Sequence, residues 1–449
     1  MDHTLMKTKP ILPLLAAMAL PAVISMIVNS LYNIIDSFFV AMISEDALTA
    51  VSLVFPIQNA VNAVSIGFGV GLNAVISFCL GARQERLAHT AATHGMVLSI
   101  LHGLLLMGCC MAVMPSFLRL FTQDTHIISL GLTYAHIVLG FSLVLTIDLA
   151  YEKMFQAVGR MQVSMVSLIC GCLTNIIGDP ILIFGWGPIP ALGIAGAAWA
   201  TGLGQAVSLL VYVAVQQYRP MHVRIAKAYL VWDIALDKKI YSIGIPAILN
   251  MGLPSVLITA LNGMLSVYSP IYVVVLGIYY KLQTFLYMPA NGIIQGLRPL
   301  MGYNFGARCY DRVRRLYRTT LLLNGLVMAG GTLVCWLVPD VLIHWFSQNP
   351  ETIAAGSTAL RTISLGFIVS AVSITSSGAL EGLGKGMPSL WISLLRNILV
   401  LIPAAYAGCR LWGPNGIWHA FWLAEAVTAV CAWCIYCRAA GIPVEKRRD

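Results

Sequence analysis

The chain has 449 residues, 59% hydrophobic and only 10% charged, with a formal net charge of +9 and a mean hydropathy of +0.82. A soluble domain carries roughly 25% charged residues, so this composition excludes one and points to an integral membrane protein. Its apolar runs suit helices crossing a hydrocarbon core of ~30 Å, and the ten-residue alternation of barrel strands is absent.

Two lysines and Pro10 precede the first apolar run and no small-residue cleavage site follows, so the N-terminus does not read as a removable signal peptide. Twelve helical spans are expected, at about 11–42, 51–79, 91–114, 130–152, 162–185, 191–216, 241–262, 271–303, 317–338, 359–380, 388–409 and 415–437. The first holds "NSLYNIIDSFFVAMIS", in which Asn29 lies two turns before Asp36, with Tyr32 and Asn33 nearby. A carboxylate at the bilayer centre costs ~2.5–3.5 kcal/mol on insertion scales, so one that persists faces a cavity or a partner. Asp36 is therefore a candidate functional residue.

The fourth span carries Asp148 and Glu152 toward its inner end, beside Lys153, where a structural role is expected. In the fifth, Asn175 sits four residues before Asp179, on the same helical face, and Pro180 follows. Proline removes a helix hydrogen bond and loosens the turn beside the carboxylate. Amide oxygens beside carboxylates can coordinate a cation, and the set suits a proton or a hard ion such as sodium. With sodium, the expected ligands are Asp36, Asn175 and Asp179.

The polar stretch 217–240 reads as a linker. Beyond it the intramembrane charges are Lys281 and Arg298 in the eighth span, Arg396 in the eleventh and Glu425 in the twelfth. Lys281 is the cation expected to face a C-terminal cavity, and Arg396 is expected to snorkel or to pair with Glu425. Eleven cysteines sit almost wholly within spans, which implies no disulfide framework. The "CAWCIYC" set of Cys431, Cys434 and Cys437 lacks a second ligand pair at zinc spacing and reads as small packing residues.

Placing residue n beside n+225 exposes an internal repeat: "MALPAVISM" falls on "IGIPAILNM", Gly81–Arg83 on Gly306–Arg308, Phe121 and Thr122 on Phe346 and Ser347, and Gln156–Gly159 on Glu381–Gly384. The expected fold is an all-α polytopic membrane protein, its twelve transmembrane helices forming two six-helix lobes related by a pseudo-twofold along the membrane normal. The expected domains are 1–216, the linker 217–240 and 241–449. With a cytoplasmic N-terminus, 21 of the 27 Lys and Arg fall on inner segments, Lys446, Arg447 and Arg448 among them. That bias is the positive-inside rule and places both termini in the cytoplasm. The basicity is topological, so nucleic acid is not an expected partner.

Together these motifs, with "GAR" after the second and eighth spans, "AVGRMQ", "GLGKGMP" and "LGIAGAAWAT", resemble the multidrug and toxic compound extrusion (MATE) family of secondary transporters over nearly the full length, with the DinF-like prokaryotic branch the most similar. The resemblance implies an ion site in the N-terminal lobe at Asn29, Asp36, Tyr134, Asn175, Asp179 and Thr201, and a first helix that bends at Pro21, with Pro180 as a second bending point. Residues 241–262 and 359–380 contain none of the acids some branches carry there, so a second-lobe cation site is not expected. Asp148, Arg298 and Glu381 depart from the family pattern.

The expected function is an ion-coupled antiporter, using protons or sodium, that exports amphipathic, often cationic, small molecules by alternating access. It would need no cofactor and act as a monomer, multi-pass in a prokaryotic plasma membrane with lipid as its surroundings. The alternative is a lipid-linked precursor flippase or polysaccharide exporter of the same superfamily. No HExxH or GxSxG motif is present, so an enzyme is not expected.

Overall fold

A computed structural model describes residues 5–442. Lys446, Arg447 and Arg448 lie outside the described residues. After a single turn, α1 (Leu5–Thr8), come α2 (Ile11–Ala41), α3 (Glu45–Gly81), α4 (Glu85–Arg119), α5 (Thr125–Gly140), α6 (Ser142–Ala157), α7 (Met161–Phe184) and α8 (Ile194–Tyr218). A 3₁₀ turn at Lys227–Tyr229 leads to α9 (Ile234–Ser266), α10 (Pro270–Gly306), α11 (Tyr310–Leu337), α12 (Pro339–His344), α13 (Pro350–Ser364) and α14 (Phe367–Gly382). Last come α15 (Gly386–Leu394), a π-helical stretch Leu395–Leu399, α16 (Leu401–Trp412) and α17 (Pro414–Ala439). Among the described residues ten helical stretches are long and apolar enough to cross a membrane. The number is twelve when each of two bent pairs counts as one span.

Those bent pairs are the expected fourth and tenth spans. The axis turns by 44° between α5 and α6, and by 55° between α13 and α14. Neither break is at proline. The Phe141 and Gly366 amides instead donate three residues back, to Val138 and Ile363, which tightens the turn and ends one helix before the next begins. α2 and α7 run unbroken past Pro21 and Pro180.

The 225-residue repeat is written into backbone and caps. Ser44 and Ser269 cap α3 and α10 through their side chains, and Asp124 and Asn349 do so for α5 and α13. Four helices end with a left-handed residue, Arg83, Gly159, Arg308 and Gly384. In each case the next amide reaches back five residues, as Gln84 does to the Cys79 carbonyl at 2.8 Å and Cys309 to Asn304 at 2.9 Å, the Schellman closure that satisfies otherwise orphaned carbonyls. The hairpin 185–193, held by a Trp186–Ile189 bridge, shifts α8 out of this register against α17.

The chain divides into two compact units. One comprises Ile24–Ile240; the other joins Thr4–Val23 to the chain from Tyr241 onward. The opening turns of α2 thus belong with the second unit, where a Cβ on Gly296 would come within 2.8 Å of the Ala19 nitrogen. Lipid tails are as apolar as leucine, so close approach of small residues holds such helices together. Gly171 and Gly204 provide it for α7 and α8, since a Cβ on either would meet the other's carbonyl at 2.8 Å. The outward face of α7 is apolar, with Leu173 and Ile177 exposed.

The linker is docked on its own unit. His94 of α4 bonds Asp237 at 2.9 Å and the Val231 carbonyl at 2.7 Å, and the Arg224 amide donates to His89 at 3.2 Å. Cys434 and Cys437 are exposed, which corrects their reading as packing residues.

Candidate functional site

Five helices of the first unit bring polar side chains to one buried place. α7 supplies Asn175 and Asp179, one turn apart on the face opposite Leu173 and Ile177; they are 2% and 0% exposed. α8 supplies Thr201, whose hydroxyl donates to the Ala197 carbonyl at 3.1 Å and accepts from Asn175 Nδ2 at 3.3 Å. That bond sets the amide's orientation and leaves Asn175 Oδ1 with no donor.

Tyr134 of α5 is buried against this pair, with Thr201 and Gln58 as hydrogen-bonding neighbours and Asp36 and Asp179 as the nearby charges. α2 contributes Asp36 and Tyr32; Asp36 acts on Tyr32, Tyr134 and Asp179.

Four buried acceptor oxygens in this cluster have no hydrogen-bond partner: Asp36 Oδ1, Asn175 Oδ1 and both carboxylate oxygens of Asp179. Among the described residues no Lys, Arg or His is ion-paired with either acid. An unsatisfied buried acceptor costs about 1–3 kcal/mol, so a proton or an oxygen-seeking cation would relieve several at once. Hard cations take carboxylate and amide oxygens of this kind. Pro180 adds to the set, because its missing N–H leaves the Ile176 carbonyl without its helix partner.

Five of the six residues named from the resemblance, Asp36, Tyr134, Asn175, Asp179 and Thr201, thus come together. Asn29 is exposed, and its backbone carbonyl accepts from Asn33 Nδ2 at 2.6 Å. Tyr32 was named only as a neighbour, and Gln58 was missed. The signal for Gln58 was available, an amide two residues after Pro56 within a hydrophobic span.

In the second unit two of the three intramembrane cations are ion-paired. Arg396, in the π-helical stretch, reaches Glu425 with Nε at 2.7 Å and Nη2 at 2.6 Å, and Ser373 adds a bond to the other oxygen. Pairing, not snorkelling, is the outcome. Arg298 binds Glu381 at 2.6 Å, and Glu381 also accepts from Ser389 at 3.0 Å and Asn250 at 3.3 Å. α14 runs to Gly382, so the tenth span does contain an acid, which corrects its reading as acid-free. Lys281 is exposed, with its ammonium 5.8 Å from the centre of the Phe346 ring.

The chain is similar to the multidrug export protein MepA of Staphylococcus haemolyticus (strain JCSC1435), at 23% identity over 92% of this chain and 90% of that protein. Solved structures share its fold at 21% identity. The outward-facing conformation of a multidrug resistance MATE family transporter of the MOP superfamily superposes with TM-score 0.91 over 99% of both chains. A MOP superfamily transporter from Pyrococcus furiosus Vc1, described with a binding pocket of reverse polarity that suggests a different function, gives 0.90 over 98% of both. The sequence model of the MatE family matches twice, over residues 21–181 and 246–407, and the two matches begin 225 residues apart, the offset of the internal repeat. Matched over most of its length and twice at the spacing of its own repeat, the chain belongs to the MatE family of membrane transporters.

Proposed function

We propose that this chain is an ion-coupled antiporter that exports amphipathic, often cationic, compounds, with both termini on the cytoplasmic side of a prokaryotic plasma membrane. The observation that carries the coupling is the cluster of partnerless oxygens on Asp36, Asn175 and Asp179. Loaded with a proton or a sodium ion, the cluster sheds one of its two negative charges; emptied, it leaves two carboxylates close together with no ion-paired cation among the described residues. The two conditions differ in charge and hydrogen bonding at α2 and α7, and a ligand shifts a conformational equilibrium only through such a difference between states. The export of drugs is supported by the names of relatives such as MepA.

A flippase for phosphate-bearing lipid would call for free cations in the second unit. There Arg298 and Arg396 are already bound to Glu381 and Glu425, and of the three intramembrane cations Lys281 alone lacks an acidic partner among the described residues, which favours the export reading. Accumulation of a cationic dye in cells lacking their own exporters tests it. Wild-type protein should lower the dye level, and Asp36→Asn, expressed equally, should not. Normal efflux by that variant would overturn the coupling role.

A further inference from the structure

A second buried acid in the first unit is used by nothing described so far. Asp148 of α6 is 9% exposed and its Oδ1 has no hydrogen-bond partner. Its polar neighbours are Ser208 of α8 and Glu152 one turn along its own helix. Glu152 is compensated, with Lys153 Nζ at 2.7 Å and Gln156 Nε2 at 2.5 Å. Among the described residues no Lys, Arg or His is ion-paired with Asp148. A buried carboxylate without a counter-charge is relieved by binding a proton.

The position of Asp148 gives that proton a route. On α8, Thr201, Gln205, Ser208 and Tyr212 recur at spacings of four, three and four and so share one helical face. At the top, Asn175 bonds Thr201. Eight residues down α7, about 12 Å along its axis, Ser167 bonds the Ser208 carbonyl at 2.5 Å and lies 3.1 Å from its hydroxyl. Between these two polar layers the helices touch at Gly171 and Gly204, and Gln205 offers a buried Oε1 with no donor. Below them Tyr212, 1% exposed and stacked on Phe155, faces Ser164, Ser167, Asp148 and Glu152.

We propose that Asp148 is a second proton-binding site, linked to Asp36 and Asp179 by the α8 polar stripe and opening toward the Glu152 end of the unit. The inference rests on the antiport reading and narrows it, because a stripe of hydroxyl and amide groups passes protons from acid to acid and has no ring of oxygens for sodium. The titratable groups facing Asp148 are Glu152 on its own helix and Tyr212 from α8, while α7 presents hydroxyls. Of the histidines on neighbouring α4, His94 is bound to Asp237, and His102 stands edge-on to Phe68.

The test uses full-length protein in sealed vesicles. Infrared difference spectra on raising the pH should show a protonated-carboxyl band in the wild type, part of which is lost in Asp148→Asn and a separate part in Asp36→Asn. Dye transport driven by a pH gradient should be largely lost in Asp148→Asn and recover in Asp148→Glu, with dye binding unchanged. Gln205→Leu, which leaves the acid in place, should slow transport without removing its band. An Asp148→Asn spectrum identical to wild type, or wild-type pumping by that variant, overturns the proposal. Wild-type protein that follows a sodium gradient but ignores a pH gradient also overturns it and leaves the export reading standing. Protein that moves dye under neither gradient sinks the export reading instead, and the infrared band still decides whether Asp148 holds a proton.

Discussion

Arg83 and Arg308, 225 residues apart, close α3 and α10 with the same left-handed backbone, φ 58° in each. An L-residue pays roughly 1–2 kcal/mol for that conformation, and glycine does not. The other two closures of this kind, at positions 159 and 384, are glycine. Replacing Arg83 or Arg308 by Gly should therefore leave thermal stability in detergent unchanged or raise it by up to about 1 kcal/mol, and Val should lower it. A clear loss of stability with Gly would mean that the arginine side chains hold something the backbone geometry does not explain.

Gly171 and Gly204 set how closely α7 and α8 approach, and hence whether Asn175 can reach Thr201. Gly171→Ala puts a methyl 2.8 Å from the Gly204 carbonyl, a backbone atom that cannot swing aside. The helices must part, at a cost of about 1–3 kcal/mol. Melting in detergent should show that loss, and ion-driven transport should fall further than stability does.

The Arg396–Glu425 pair is part-buried on both sides, at 22% and 13% side-chain exposure. Removing one partner strands the other charge, a loss of about 3–5 kcal/mol for a buried pair. Arg396→Met and Glu425→Leu should each lower the melting temperature strongly, and the double variant should recover most of the loss. Two additive losses would show that the residues act separately.

The linker is held to α4 through His89, Thr93 and His94. Segments with few such ties open first. His94→Ala removes the bonds to Asp237 and Val231, and residues 219–233 should then be cut faster by protease while the helical core resists as before. An unchanged cleavage rate would show that other contacts hold the strap.

Much of this architecture is legible in the chain because bilayer thickness imposes a length on every apolar run, and caps such as Ser44 and Asn349 mark where runs begin. The breaks at Phe141 and Gly366 are not legible, since neither site carries the proline that usually signals one; a single 3₁₀-type hydrogen bond makes each. Asp36, Asn175 and Asp179 stand out because charge and amide are rare in such surroundings. Asn29 stands out on the same ground, yet it is exposed, since spacing along one helix does not say which neighbours face it. The Arg396–Glu425 pair is one of two outcomes open from the sequence, whereas the Arg298–Glu381 pair joins helices 83 residues apart and no local pattern encodes it.

The most direct test of coupling uses purified protein in sealed vesicles, with pH and sodium gradients imposed one at a time and export of a fluorescent cation followed. Wild-type protein should respond to at least one gradient, and Asp36→Asn and Asp179→Asn to neither, while both still bind the dye. Gradient-driven export by either variant at the wild-type rate would contradict the account.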